Sequence, residues 1–129
     1  MRRAKSTLTD QELEIMKVVW ELSQATVRDV YEKLLERRHI AYTTVMTMMK
    51  ILEDKGHLEK TQEDRAFLYR PAKPQQQVLR GMVREFVDRV FNGSAEPLLM
   101  HLVEDDKISK DDLAEIKRLM KAHRREKDA

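Results

Sequence analysis

The chain has 129 residues, 41% hydrophobic and 37% charged, with three glycines, three prolines and no cysteine; this is one domain, or one small domain with an appendage, and excludes disulfides, thiol catalysis and thiolate metal sites. Its net charge of +2 comes from the first 73 residues (14 Lys/Arg against 12 Asp/Glu, the remainder balancing 11 against 11), too small an excess to argue for or against a nucleic-acid partner. No apolar run approaches the ~20 residues of a membrane span, and the opening Met1–Glu12 lacks the apolar stretch of a secretory leader, so a soluble, cytoplasmic protein with no membrane partner is expected.

The first helix is announced by Thr9 and Glu12 in capping-box spacing, with Leu8 and Leu13 placed as a hydrophobic staple. Leu13, Met16 and Trp20 form one stripe, widened by Ile15, Val18 or Val19, and Leu22, which predicts a helix over 10–22. A connector, Ser23 to Ala25, precedes Thr26, which can cap a second helix with Asp29 in its first turn. Val27, Val30, Tyr31, Leu34 and Leu35 form that helix's apolar face, and Arg37-Arg38-His39 closes it. A third helix is predicted over 42–55, stopped by Gly56. Val45, Met48, Met49 and Leu52 should face inward, leaving Thr43, Thr44, Met46, Thr47 and Lys50 outward.

After Gly56 the period shortens. Leu58 to Thr61 and Ala66 to Arg70 read as two strands around the polar tip Gln62-Glu63-Asp64-Arg65, closed by Pro71. The tip has no glycine, so a loop longer than two residues is expected. Pro71-Ala72-Lys73-Pro74 is a linker. Beyond it, three helices are predicted over 75–92, 96–103 and from a cap at Ser109, followed by a charged tail over 124–128.

Three helices and then a hairpin within about 65 residues is the winged-helix layout, a helix-turn-helix flanked by a β-ribbon. The expected fold is mostly α with a small β-hairpin: a winged helix-turn-helix domain over 1–73, then an α-helical dimerisation domain over 74–129. The candidate reading helix carries Tyr42, Thr43, Thr44, Met46, Thr47 and Lys50 on its outer side, with no acidic residue between Ile40 and Leu52. Hydroxyls can bond phosphates or base edges, and methyl groups can pack on thymine. The pattern fits DNA better than its alternative, a Thr-rich helix packed on another part of the protein. Arg28, Lys60 and Arg65 are candidate phosphate contacts, although an exposed Arg28 and a solvated hairpin tip explain the same residues.

The C-terminal helices are apolar on more than one face and too thin a layer to hold a core, which predicts burial against a second copy rather than against the winged helix. Val83, Phe86, Val87, Val90, Phe91, Leu98, Leu99, Leu102, Leu113, Ile116 and Met120 are the expected dimerisation residues. His39, His57, His101 and His123 are scattered, no carboxylate cluster or phosphate loop has catalytic spacing, and neither an enzyme nor a cofactor or metal is expected. The resulting expectation is a homodimer reading a pseudo-palindromic operator in double-stranded DNA; the alternative is a winged-helix protein-interaction module without DNA binding.

The stretches LTDQELEIMKVVW, TVRDVYEKL, AYTTVMTMMKILEDKGHLEK and FLYRP, together with the C-terminal GMVREFVDRVFNGSAEPLLMHLVEDDKISKDDLAEIKRLM, resemble the BlaI/MecI/CopY family of penicillinase repressors over about Leu8 to Lys121. The resemblance implies a dimeric repressor of antibiotic-resistance or stress genes, acting at TACA/TGTA-like half-sites with Thr43, Thr44, Met46 and Thr47 as base readers. Met46 stands where penicillinase repressors carry a longer basic side chain. In those repressors a sensor protease pathway cuts the dimerisation region at an Asn-Phe bond, and the matching pair here is His101-Leu102. Copper-responsive members bind metal through C-terminal cysteines, a chemistry this cysteine-free chain excludes.

Overall fold

A computed structural model describes residues 7–128, with side chains to residue 126. Met1 to Ser6, half of the segment read as lacking a leader, lie outside the described residues. The order is α1 (Asp10–Leu22), α2 (Val27–Leu35), α3 (Tyr42–Asp54), β1 (Leu58–Glu63), β2 (Ala66–Pro71), α4 (Gln75–Phe91), α5 (Glu96–Glu104) and α6 (Lys110–Asp128). The chain divides into two compact units, residues 1–85 and 86–129.

The first unit is a winged helix. Both capping boxes form: Thr9 with Glu12 opens α1, and Thr26 with Asp29 opens α2, each satisfying amide groups that the helix start leaves without partners. Gly56 ends α3 at φ +86°, with its own N–H on the Glu53 carbonyl and the His57 N–H on that of Leu52, a paired closure that needs a left-handed residue. The core gathers Leu8, Ile15, Met16, Val18 and Val19 from around α1, Val30 and Leu34 from α2, Ile40, and Val45, Met49 and Leu52 from α3. Leu58 and Tyr69 add the base of the hairpin. Leu22 and Leu35, expected on apolar faces, are instead more than a third exposed, because each lies at the last turn of its helix, past the edge of the packed layer.

The hairpin pairs Leu58 with Pro71 and, at its tip, Glu63 with Ala66. The loop is thus two residues, Asp64-Arg65, and the expectation of a longer tip is overturned. Asp64 takes φ +56°, a backbone region that Asp tolerates better than most side chains, so the two-residue loop closes without glycine. Ala25 exchanges two backbone hydrogen bonds with Tyr69 (2.9 and 2.8 Å), which ties the α1–α2 connector to β2.

Val78 of α4 is buried in this same core and Met82 packs against it, so the first unit reaches past the Pro71–Pro74 linker. Thr7 donates a hydrogen bond to Glu85 within that unit. In the second unit, Ser109 and Asp112 form a further capping box at α6, and the charged tail over 124–128 is helical. No described side chain of this unit is buried; Phe86, Val90, Leu99, Met100, Val103, Leu113, Leu119 and Met120 are all at least 40% exposed. No helix among the described residues is long and apolar enough to cross a membrane.

Candidate nucleic-acid interface

Helix α3 is held by its inner face and its end, which leaves its outer face free. Val45, Met49 and Leu52 are fully buried, while Tyr42, Thr43, Thr44, Met46, Thr47 and Lys50 are all exposed. At the end of α3, Lys55 reaches back to Glu12 of α1, donating to its two carboxylate oxygens at 2.8 and 3.1 Å. Glu12 is only 4% exposed and also accepts the Thr9 N–H at 3.0 Å. Burial by itself raises the Glu12 pKa, but the Lys55 and Thr9 hydrogen bonds outweigh it and hold the carboxyl below its ordinary value. One side chain therefore caps α1 and fixes the angle of α3. Arg38 adds a second tie, from the end of α2 to Glu14 of α1 at 2.9 Å.

The start of α3 differs from those of α1, α2 and α6. Ala41 stands at its cap with no side-chain hydrogen bond, and its first turn holds no acidic residue. The leading N–H groups and the positive end of the helix dipole thus face outward. Tyr42 meets Tyr31 of α2 edge to face (ring centroids 5.3 Å apart), and the Arg28 guanidinium lies 5.8 Å over the Tyr42 ring. This places Arg28 beside the uncapped start of α3, loosely paired with Glu32 at 3.5 Å. Further along, Lys50 pairs with Asp54 at 3.7 Å, both about two-thirds exposed, a pair too hydrated to hold Lys50 from another anion.

The wing is different. Lys60 lies 3.7 Å from Glu53 of α3 and 4.5 Å over the Phe67 ring, so this predicted phosphate contact is already engaged. Arg65 is exposed in the turn between Asp64 and Ala66. Buried Tyr69 abuts α3: burial and the nearby Glu53 carboxylate both raise its pKa. Among the described residues no group of His, Asp and Glu could hold a metal. The sequence reading missed Tyr31, whose ring props Tyr42, because an aromatic at helical spacing reads equally as core. It also missed the exposure of Phe67, because alternation gives a strand's faces but not how far the core extends along them.

The Penicillinase repressor family model matches residues 8–122, which spans both units. The chain belongs to the penicillinase repressor family. Its members are transcriptional repressors, not enzymes. The chain is 28% identical to the penicillinase repressor of Bacillus licheniformis over 120 residues, covering 93% of this chain and 94% of that one. It is 36% identical over 99 residues to the transcriptional regulator BlaI of Mycobacterium tuberculosis, covering 75% and 72%. The solved DNA-binding domain of the repressor BlaI superposes with a TM-score of 0.51 at 31% identity, covering 57% of this chain and 90% of that domain.

Proposed function

We propose that this chain is a sequence-specific DNA-binding repressor that acts as a cytoplasmic homodimer on a pseudo-palindromic operator. The observation that carries the reading is the outer face of α3: Thr43, Thr44, Met46, Thr47 and Lys50 stand exposed together, with no carboxylate until Glu53 and an uncapped helix start beside Arg28. Hydroxyls and a thioether on a rigid helix suit base edges and thymine methyls, while helix amides, Arg28 and Lys50 suit phosphates. Arg65, exposed at the wing tip, is read as a phosphate contact. The family's repressors, including the one whose DNA-binding domain this fold matches, support the same reading.

The second unit supports a dimer. A helical unit without one buried side chain among its described residues leaves its apolar surface in water unless a second copy covers it. Phe86, Val87, Val90, Phe91, Leu98, Leu99, Leu102, Leu113, Ile116 and Met120 supply that surface, with Val83 just before it. Two linked copies present two α3 helices to two half-sites, in front of resistance or stress genes. The family's cleavage position falls on His101–Leu102, inside α5. The His101 carbonyl accepts from the Asp105 N–H (3.0 Å) and the Leu102 carbonyl from the Lys107 N–H (2.8 Å), so a sensor protease would have to unwind α5 first.

Fluorescence anisotropy on a synthetic duplex with inverted TACA/TGTA half-sites, and on a scrambled duplex, tests the proposal over a range of salt. Each neutralised phosphate contributes roughly 0.9 to the slope of log affinity against log salt. Thr47→Ala is expected to lose roughly 1–3 kcal/mol of preference for the half-site duplex, and Lys50→Ala to weaken both duplexes alike and flatten the slope by about 1. Absence of salt-dependent binding to either duplex would leave the protein-interaction module as the better account.

A further inference from the structure

Phe67 is 47% exposed, although it shares a strand face with buried Tyr69. Pairing sets Leu58, Lys60 and Gln62 opposite Pro71, Tyr69 and Phe67, so these six side chains line one face of the ribbon. The core covers that face only at Leu58 and Tyr69. On this face one more pair, Gln62 and Phe67, follows toward the turn, and Phe67 takes no part in the core. Lys60 bridges from this face to Glu53, so the exposed ring lies on the side of the wing turned toward α3.

The charges of the wing do not make a phosphate clamp. Lys60 pairs with Glu53 and Arg70 with Glu59, at 3.7 and 3.9 Å. Among the described residues, Arg65 is the one wing cation outside an ion pair, and Glu63 and Asp64 precede it directly. A wing with one available cation and two carboxylates gains little from the field of DNA. An exposed aromatic ring beside the reading helix offers what those charges cannot, an apolar surface to bury.

We propose that Phe67 is the principal DNA contact of this wing, its ring packing on deoxyribose groups of the duplex backbone alongside α3. The inference rests on the DNA-binding reading above. Sugars are the same at every step, so the contact adds affinity without sequence preference. It neutralises no phosphate, so it leaves the salt dependence unchanged. Covering the exposed half of the ring corresponds to roughly fivefold in affinity.

The test compares the full chain with Phe67→Ala, Phe67→Leu and Arg65→Ala on a mixed-sequence duplex, by anisotropy over a range of salt, so no operator need be known. Phe67→Ala is expected to bind roughly fivefold more weakly at every salt with the wild-type slope, and Phe67→Leu to fall between. Arg65→Ala is expected to flatten the slope by about 1. Circular dichroism checks folding; should Phe67→Ala lose the hairpin, Phe67→Leu decides alone. Unchanged affinity in the Phe67 variants overturns the proposal, and so does a loss accompanied by a flatter slope. A wild-type chain that binds no duplex defeats the DNA-binding reading itself, and this inference with it.

Discussion

Glu12→Gln isolates the charge that locks α3 onto α1. The substitution keeps the side chain's length and an oxygen for the Thr9 N–H, but removes the carboxylate to which Lys55 donates at 2.8 and 3.1 Å. Hydrogen bonds to a charged group contribute about 1.5–3 kcal/mol each, and the amide oxygen of Gln recovers part of one. The Lys55 side chain is 26% exposed, so its ammonium regains some water. A net loss of about 2 kcal/mol at pH 7 follows, a sizeable share of the ~5–15 kcal/mol that holds a domain together. Lys55→Met is expected to cost more, because it leaves the better-buried partner, Glu12 at 4% exposure, without its counter-ion.

The pH dependence has a definite sign. The Glu12 carboxyl is held below its ordinary 4.5 in the folded state, so its stabilisation is fully present above that value and is lost as pH falls through the folded one. The gap between wild type and Glu12→Gln should therefore be widest at neutral pH and shrink in acid. Trp20, the only tryptophan, lies on α1 against the core, so urea unfolding followed by its fluorescence reports on this unit. A Glu12→Gln variant within about 0.5 kcal/mol of wild type at pH 7, or a gap that stays constant into acid, would refute the reasoning, since the expected ~2 kcal/mol lies well above the usual scatter of surface substitutions.

The wing turn and the second unit give two further expectations. Asp64→Gly should raise the thermal midpoint slightly, worth up to ~1 kcal/mol, because glycine adopts a positive φ without a Cβ penalty, whereas Asp64→Val should lower it. Leu99→Asp and Met120→Asp, at sites 44% and 59% exposed, should each shift the sedimenting species from dimer to monomer while leaving Trp20 fluorescence unchanged. A wild-type chain that sediments as a monomer at micromolar concentration would remove the dimer.

The elements were legible because their signals are local. Thr9 with Glu12 and Thr26 with Asp29 cap their helices within four residues of sequence, and Gly56 ends α3 by its own backbone freedom. The outer face of α3 was legible for the same reason: 3.6-residue periodicity puts Val45, Met49 and Leu52 on one side and Thr43, Thr47 and Lys50 on the other, whatever the rest of the fold does. The hairpin tip was misread because the expectation rested on glycine, while Asp64 accepts the left-handed conformation that a two-residue turn demands.

What sequence alone determined was the order of elements, the inward and outward sides of the first three helices, and family membership through motifs that survive in linear order. What tertiary structure decided was where those sides end and which charges are already spoken for. Lys60 looked available until α3 brought Glu53 within 3.7 Å, strand alternation left open how far the core reached until it stopped at Tyr69 short of Phe67, and the linker looked like a boundary until Val78 was buried beyond it. Periodicity and capping act between neighbours along the chain, whereas burial and ion pairing depend on groups brought together from distant positions, and only the folded arrangement specifies those.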